Sequence, residues 1–198
     1  MRNSFFGILT ICTLLFACTD STIYNPKPRS YPKINYPDRA FTDFNTSYCN
    51  FSFRMPAYFE VQQDSTYFDL KPDNECWFNL YLKEFDCTIY CNYVEVGKSK
   101  SFKELKEDAF KITSQHNKRA TYIDEILLQN DYGARGIAFE VEGPVASHYQ
   151  FYLTDEAQNH FFRGSLYFDS QSKPDSLRPM LDFVKQDLDS LFYTFKWE

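Results

Sequence analysis

Six cysteines carry the most reactive side chains of this 198-residue chain, and the neighbours of one of them prescribe a reaction. Leu15-Phe16-Ala17-Cys18 sets an apolar residue three positions before a cysteine and a small residue directly before it, the arrangement of a lipobox. A thiol so placed receives diacylglycerol, after which the chain is cut just ahead of the modified residue. Upstream, Arg2 precedes an apolar run from Phe5 to Phe16, the layout of a signal peptide over residues 1–17. The run is about a dozen residues, short of the roughly 20 that a helix needs to cross a bilayer, so cleavage is expected and the lipid on Cys18 becomes the anchor. Each buried CH₂ of its acyl chains contributes about 0.8 kcal/mol to membrane binding.

Beyond the anchor, the exported part carries Cys49, Cys76, Cys87 and Cys91, in a compartment where disulfides persist. Four cysteines allow three pairings. Cys87 and Cys91 lie four apart on one expected strand, hence about 13 Å apart, beyond the roughly 7 Å that a bridge can span. Cys49 with Cys76 is the favoured pair, closing a loop of about 27 residues for some 3 kcal/mol. Cys87 and Cys91 are then buried free thiols. No CxxC spacing and no neighbouring histidine pair supports zinc.

Catalytic signatures are missing from the sequence: no G-x-S-x-G elbow, phosphate loop, H-E-x-x-H or dinucleotide fingerprint occurs. His116 falls on an apolar helical stripe and reads as a core or boundary histidine, whereas His148 and His160 flank strand ends and are expected at the surface. Glu107-Asp108 and Asp124-Glu125 read as solvated carboxylates at helix and strand ends. No catalytic residue, metal, cofactor or small-molecule substrate is expected. Removing Arg2 with the signal leaves 20 basic against 27 acidic residues, a balance that disfavours nucleic acid as a partner.

The elements that position these residues follow from periodicity. Residues 18–48 read as a tether, because the prolines of Tyr24-Asn25-Pro26-Lys27-Pro28-Arg29-Ser30-Tyr31-Pro32 and Tyr36-Pro37 block helix and ladder bonding and favour an extended chain. From residue 49 to 198 one domain is expected. Phe51, Phe53 and Met55 alternate with polar residues, and further strands are expected at 67–70, 76–82 and 87–94. Ser101 and Glu104 form a capping box ahead of a helix over 102–117. Four more strands follow at 123–128, 136–142, 148–154 and 161–168. A closing helix begins near Ser172 and Pro174, with Leu177, Leu181, Val184, Leu188 and Leu191 in one stripe. The fold class is therefore α+β: an antiparallel β-sheet packed by two α-helices, after a signal peptide and an extended Pro-rich tether. That order resembles the Mog1/PsbP-like layout, a likeness of fold that carries no function.

Tyr24-Asn25-Pro26-Lys27-Pro28-Arg29-Ser30-Tyr31 resembles the Y-x-P-K-P-[RK]-G-Y segment of the gliding-motility lipoprotein GldD family of Bacteroidota. In the same order, Cys76-Trp77 with Thr88-Ile89-Tyr90, then Gln150 to Asp155, then Phe162 to Phe168, and finally Pro174 to Pro179 through Phe195 and Trp197 are similar to that family. Ser30 departs from the family's glycine, and Cys87 and Cys91 are additions to its pattern. The resemblance implies a noncatalytic envelope lipoprotein that supports gliding and the associated type IX secretion machinery beside other envelope lipoproteins. A periplasmic ligand-binding module with a pocket between sheet and helix is the alternative. Tyr24, Pro26, Lys27, Pro28, Arg29 and Tyr31 form the first candidate interaction strap, since an extended Pro-rich segment presents side chains at little ordering cost. Arg163-Gly164-Ser165 is the second candidate, with a bulge expected at Gly164. Asp20-Ser21-Thr22 and Asp64-Ser65-Thr66 match the D-S/T-x pattern of O-glycosylation. Thr19-Asp20-Ser21-Thr22 lacks clustered acidic residues, which favours the periplasmic face of the outer membrane.

Overall fold

The computed structural model describes residues 33–63, 74–169 and 174–198. The signal peptide, Cys18, the strap at 24–31, both D-S/T-x segments, the strand expected at 67–70 and Ser172 all lie outside the described residues.

Two antiparallel sheets share one core. The small sheet has the order β1 (Phe41–Asn45), β2 (Phe51–Pro56) and β10 (Lys196–Trp197), so that the C-terminus pairs with an early strand. The large sheet has seven strands in the order β3-β4-β5-β9-β8-β7-β6. These are β3 (Glu60–Gln63), β4 (Trp77–Leu82), β5 (Cys87–Glu95), β6 (Tyr122–Gln129), β7 (Arg135–Glu142), β8 (Ser147–Thr154) and β9 (His160–Phe168). Helix α1 (Phe102–Ser114) lies between β5 and β6 in the chain, and α2 (Pro174–Thr194) between β9 and β10.

Alternation builds the main core. Phe78, Leu80 and Leu82 of β4, Ile89 of β5, Phe151 and Leu153 of β8, and Phe162 and Leu166 of β9 face inward with the stripe Leu181, Val184, Leu188 and Leu191 of α2. The small sheet closes this layer with phenylalanines. Phe44 stacks on Phe53 at 4.6 Å and on Phe78 at 4.5 Å, and Phe51 meets Phe162 at 4.9 Å and Phe195 at 5.1 Å. Each fully buried ring of this size contributes about 1.5–3 kcal/mol. A second, smaller core lies on the opposite face, where Leu105 and Ala109 of α1 pack on Phe139, Tyr152 and Phe161. The capping box forms as the sequence predicts: the Glu104 amide donates to Ser101 Oγ, and the Ser101 amide to Glu104 Oε2 at 2.8 Å.

The folded part starts before residue 49, which corrects the expected end of the tether. Arg39 Nε donates to Asp187 at 3.0 Å and its guanidinium lies 4.3 Å over the Phe183 ring, while Tyr36 packs on Phe183 and Phe85. β1 then follows inside the span read as tether, pairing with β2 along its whole length. Its cross-strand match to β2 is a nonlocal signal that a short FTDFN segment does not carry by itself. β3 and β10 were likewise not expected; β3 is exposed throughout and shows no alternation to read.

Gly164 corrects a second expectation. The register between β8 and β9 runs straight through it, opposite Phe151, and a Cβ there would meet Phe151 Cζ at 2.3 Å. The glycine makes room for a ring. The irregularity lies instead between Ser147 and Tyr149, where His148 is the additional residue.

Candidate interaction surfaces

The reactive groups singled out in the sequence are largely tied into the framework. Cys49 and Cys76 form a disulfide with Cα atoms 5.2 Å apart, both side chains buried, joining the residues before β2 to those before β4. Cys87 and Cys91 are free and buried on the inward face of β5. Burial, with Asp169 and Asp86 nearby, pushes the Cys87 thiol up to about 12, and burial alone raises Cys91 further. Neither thiol ionises near neutrality, so neither is poised as a nucleophile or metal ligand. Among the described residues no group of three or more His, Cys, Asp or Glu side chains is arranged to hold a metal ion.

His116 takes the boundary position expected of it, in the single 3₁₀ turn after α1. It accepts from the Gln150 side-chain amide at 2.9 Å, and Gln150 Oε1 accepts from Thr113 Oγ1 at 3.1 Å, so a short polar chain pins α1 to β8. His148 is a correction, whereas His160 is half-buried at the start of β9. His148 is 5 % exposed, and its Nδ1 donates to the Val141 carbonyl at 3.2 Å. Both faces of β8 are covered, and His148 lies close to His116 in the turn after α1. His160 shares a 2.6 Å hydrogen bond with the Tyr93 hydroxyl and stacks on Trp197 at 5.3 Å. Burial lowers the proton affinity of His116, with His148 adding to the effect, and burial lowers that of His148 itself.

Asp187 on α2, which the sequence reading missed, is the one fully buried carboxylate among the described residues. It accepts from the Tyr58 hydroxyl and from Arg39. Burial raises its proton affinity, and both partners oppose that rise. Only the tertiary fold brings residues 39, 58 and 187 together, so no local spacing announces them.

Of the two surfaces expected from the sequence, only the second falls on described residues. Arg163 and Ser165 stand on the face of the large sheet opposite the main core, beside Trp77, Asn79, Tyr90 and Asn92. The recess among them has a cavity volume of about 20 Å³, room for one water and far below the roughly 300 Å³ of a typical small-molecule site. Between the large sheet and α2, where a ligand-binding module would hold its pocket, the described residues are packed side chains. Two broader depressions of about 410 and 250 Å³ lie elsewhere, one along Asp43–Thr46 and Gln63 and one beside Asn74, Glu95 and Lys98. Among the described residues no helix is long and apolar enough to cross a membrane.

Comparison with known proteins adds the following. A family model described as "Gliding motility lipoprotein GldD" matches residues 21–197. No curated protein matches the chain. Among solved structures, the solution structure of cyanobacterial PsbP (CyanoP) from Synechocystis sp. PCC 6803 is similar with a TM-score of 0.49 and 11 % identity, covering 82 % of this chain and 95 % of that one.

Proposed function

The chain belongs to the GldD family of gliding motility lipoproteins, and from that premise we propose that it is a noncatalytic, lipid-anchored envelope component that assembles or stabilises the gliding and type IX secretion machinery. The observation that carries this reading is the family match over residues 21–197, which runs through the Pro-rich segment and the folded domain alike. The packing supports a role through surfaces: the histidines, the free thiols and the buried Asp187 serve the interior. In this reading Cys18 carries the lipid at the periplasmic face of the outer membrane, residues 24–31 form a strap for other envelope lipoproteins, and the domain presents the sheet face around Arg163.

Complementation tests the proposal. In a gliding host lacking the gene, the wild-type chain restores colony spreading and secretion of type IX cargo, whereas Cys18→Ala, exported and folded in equal amount, restores neither. Full rescue by the Cys18→Ala chain would overturn the anchored reading. Scrambling residues 24–31 should deplete the partners recovered by native detergent extraction, and equal recovery would remove the strap from the proposal. Loss of the protein on protease treatment of intact, unlysed cells would put it on the outer surface instead.

A further inference from the structure

Strand β6 ends the seven-stranded sheet, and among the described residues no strand lies outside it. Natural edge strands are commonly short, twisted away or protected by lysine and proline. β6 has no lysine, proline or bulge, and its two charged residues are the carboxylates Asp124 and Glu125: it runs for 8 residues, Tyr122-Ile123-Asp124-Glu125-Ile126-Leu127-Leu128-Gln129, in unbroken register with β7. It is also where exposed apolar surface gathers. Of the seven large apolar or aromatic side chains that are exposed among the described residues, Tyr122, Ile126 and Leu127 lie on β6, Tyr132 in its turn and Tyr193 on the adjoining end of α2. Asn130 fixes that end, its amide donating to the carbonyls of Phe192 and Phe195 at 2.8 and 2.7 Å.

The backbone shows which groups are on offer. The Asn130 amide donates to the Ala134 carbonyl at 3.0 Å, which makes this cross-strand pair a hydrogen-bonded one. By antiparallel alternation, Tyr122, Asp124, Ile126 and Leu128 then bond to β7, and Ile123, Glu125, Leu127 and Gln129 direct their N–H and C=O groups outward. Side chains alternate independently of this. Ile126 and Leu128 share the face of Ala138, toward the main core, whereas Glu125 and Leu127 share the face of Phe139 and Ile137, toward α1. Leu127 is 84 % exposed, so a strand added outside β6 would find an apolar contact on each face.

Charge selects the occupant. β6 carries Asp124 and Glu125 and no basic residue, and neither carboxylate has an ion-pair partner among the described residues. A second copy pairing through β6 would bring four carboxylates together with no basic residue on either edge strand, on a chain whose net charge is already −6. We infer that β6 is the docking edge for an extended basic segment of another protein, which adds as an eighth, antiparallel strand. Read from its N-terminus, that segment places two apolar residues opposite Leu127 and Ile126, then two Lys or Arg residues opposite Glu125 and Asp124. Main-chain hydrogen bonds supply the attachment, and the apolar and basic pairs fix the register. The inference stands on the sheet edge alone and does not draw on the family.

The test uses the full chain in detergent with two fluorescein-labelled peptides, Thr-Val-Leu-Val-Lys-Lys-Val-Thr and its counterpart with Glu-Glu in place of Lys-Lys. Anisotropy should rise saturably with the basic peptide and at least tenfold more weakly with the acidic one. Leu127→Pro removes an outward N–H without taking a bond from β7, so it should weaken binding at least tenfold at an unchanged melting temperature. The charge reversal Asp124→Lys/Glu125→Lys should invert the preference between the peptides, and it keeps the inference testable if the proline variant unfolds. Failure of the basic peptide to bind, equal binding of both, or unchanged preference in the charge reversal overturns the inference. A concentration-dependent dimer abolished by Leu127→Pro would give the edge to a second copy and overturn it too.

Discussion

Replacing Gly164 with alanine adds one methyl group directly under the Phe151 ring, at 2.3 Å from Cζ and 2.4 Å from Cε1. Nonbonded carbons settle at about 3.5–4.0 Å, so the ring must retreat by roughly 1 Å or more. It has little room to do so: Phe151 is buried, with Phe162 at 5.9 Å on one side and Phe192 edge-on at 4.8 Å on the other. Alanine also has a benefit, because it restricts the unfolded chain and returns about 0.4–1 kcal/mol. Overpacking costs about 1–3 kcal/mol. The clash wins, and Gly164→Ala should lose about 1–2 kcal/mol, which lowers the melting temperature by roughly 2–8 °C in a domain of this size. Urea and thermal denaturation of both proteins measure it. Phe151→Leu destabilises on its own by leaving a hole, but in the alanine background it relieves the clash, so the two losses should fall short of additive by at least about 0.5 kcal/mol. A Gly164→Ala protein as stable as wild type, or strictly additive losses, would refute the account of this glycine as space for a ring.

Three further outcomes follow from groups already placed. Replacing Cys49 and Cys76 together by serine opens a 27-residue loop and, in the chain-entropy account, should cost about 3.5 kcal/mol in urea unfolding under oxidising conditions; reductant should then lower the wild type and leave the variant unchanged. Tyr58→Phe strips Asp187 of one donor inside the protein and should cost about 1–3 kcal/mol, and a loss below the error of the fit would show that Arg39 alone satisfies the carboxylate. His116 and His148 are held below their ordinary proton affinity, so the unfolded chain takes up protons first; their contribution is complete above about pH 6.5 and declines as the pH drops through 6.5 toward the lowered folded-state values. Urea midpoints measured from pH 7.5 to 5 should therefore fall less steeply in a His116→Gln/His148→Gln variant than in wild type, and parallel slopes would contradict this.

Local pattern made most of the architecture legible. The capping box at Ser101 and Glu104, the stripe Leu177 to Leu191 and the alternation in β4, β5, β8 and β9 each act within one element, and each appears where its spacing placed it. What stayed hidden depends on partners distant in sequence. β1 gains its place from β2, and β10 has only two residues to show. Gly164 could be read as irregular but not as a seat for Phe151, because that contact exists only once two strands are in register. The burial of His148 is hidden for a related reason: both faces of β8 are covered by other elements, which its own residues do not show. The open edge at β6 is in view as Ile123 to Leu128 without its meaning, since a strand becomes an edge only through the order of the others.

The clasp of Arg39 and Tyr58 on Asp187 has a mechanical side. Tension arriving along the N-terminal segment meets the described domain first at residues 33–39, where Tyr36 and Arg39 grip Phe183 and Asp187 of α2, and only afterwards at β1. α2 carries the stripe that fills the main core, so a pull is delivered to the best-buried helix before it can peel an outer strand. Resistance to force is set by how slowly the loaded contacts let go and not by overall stability. Arg39→Ala should thus lower the force at which the first strand detaches far more than it lowers the melting temperature.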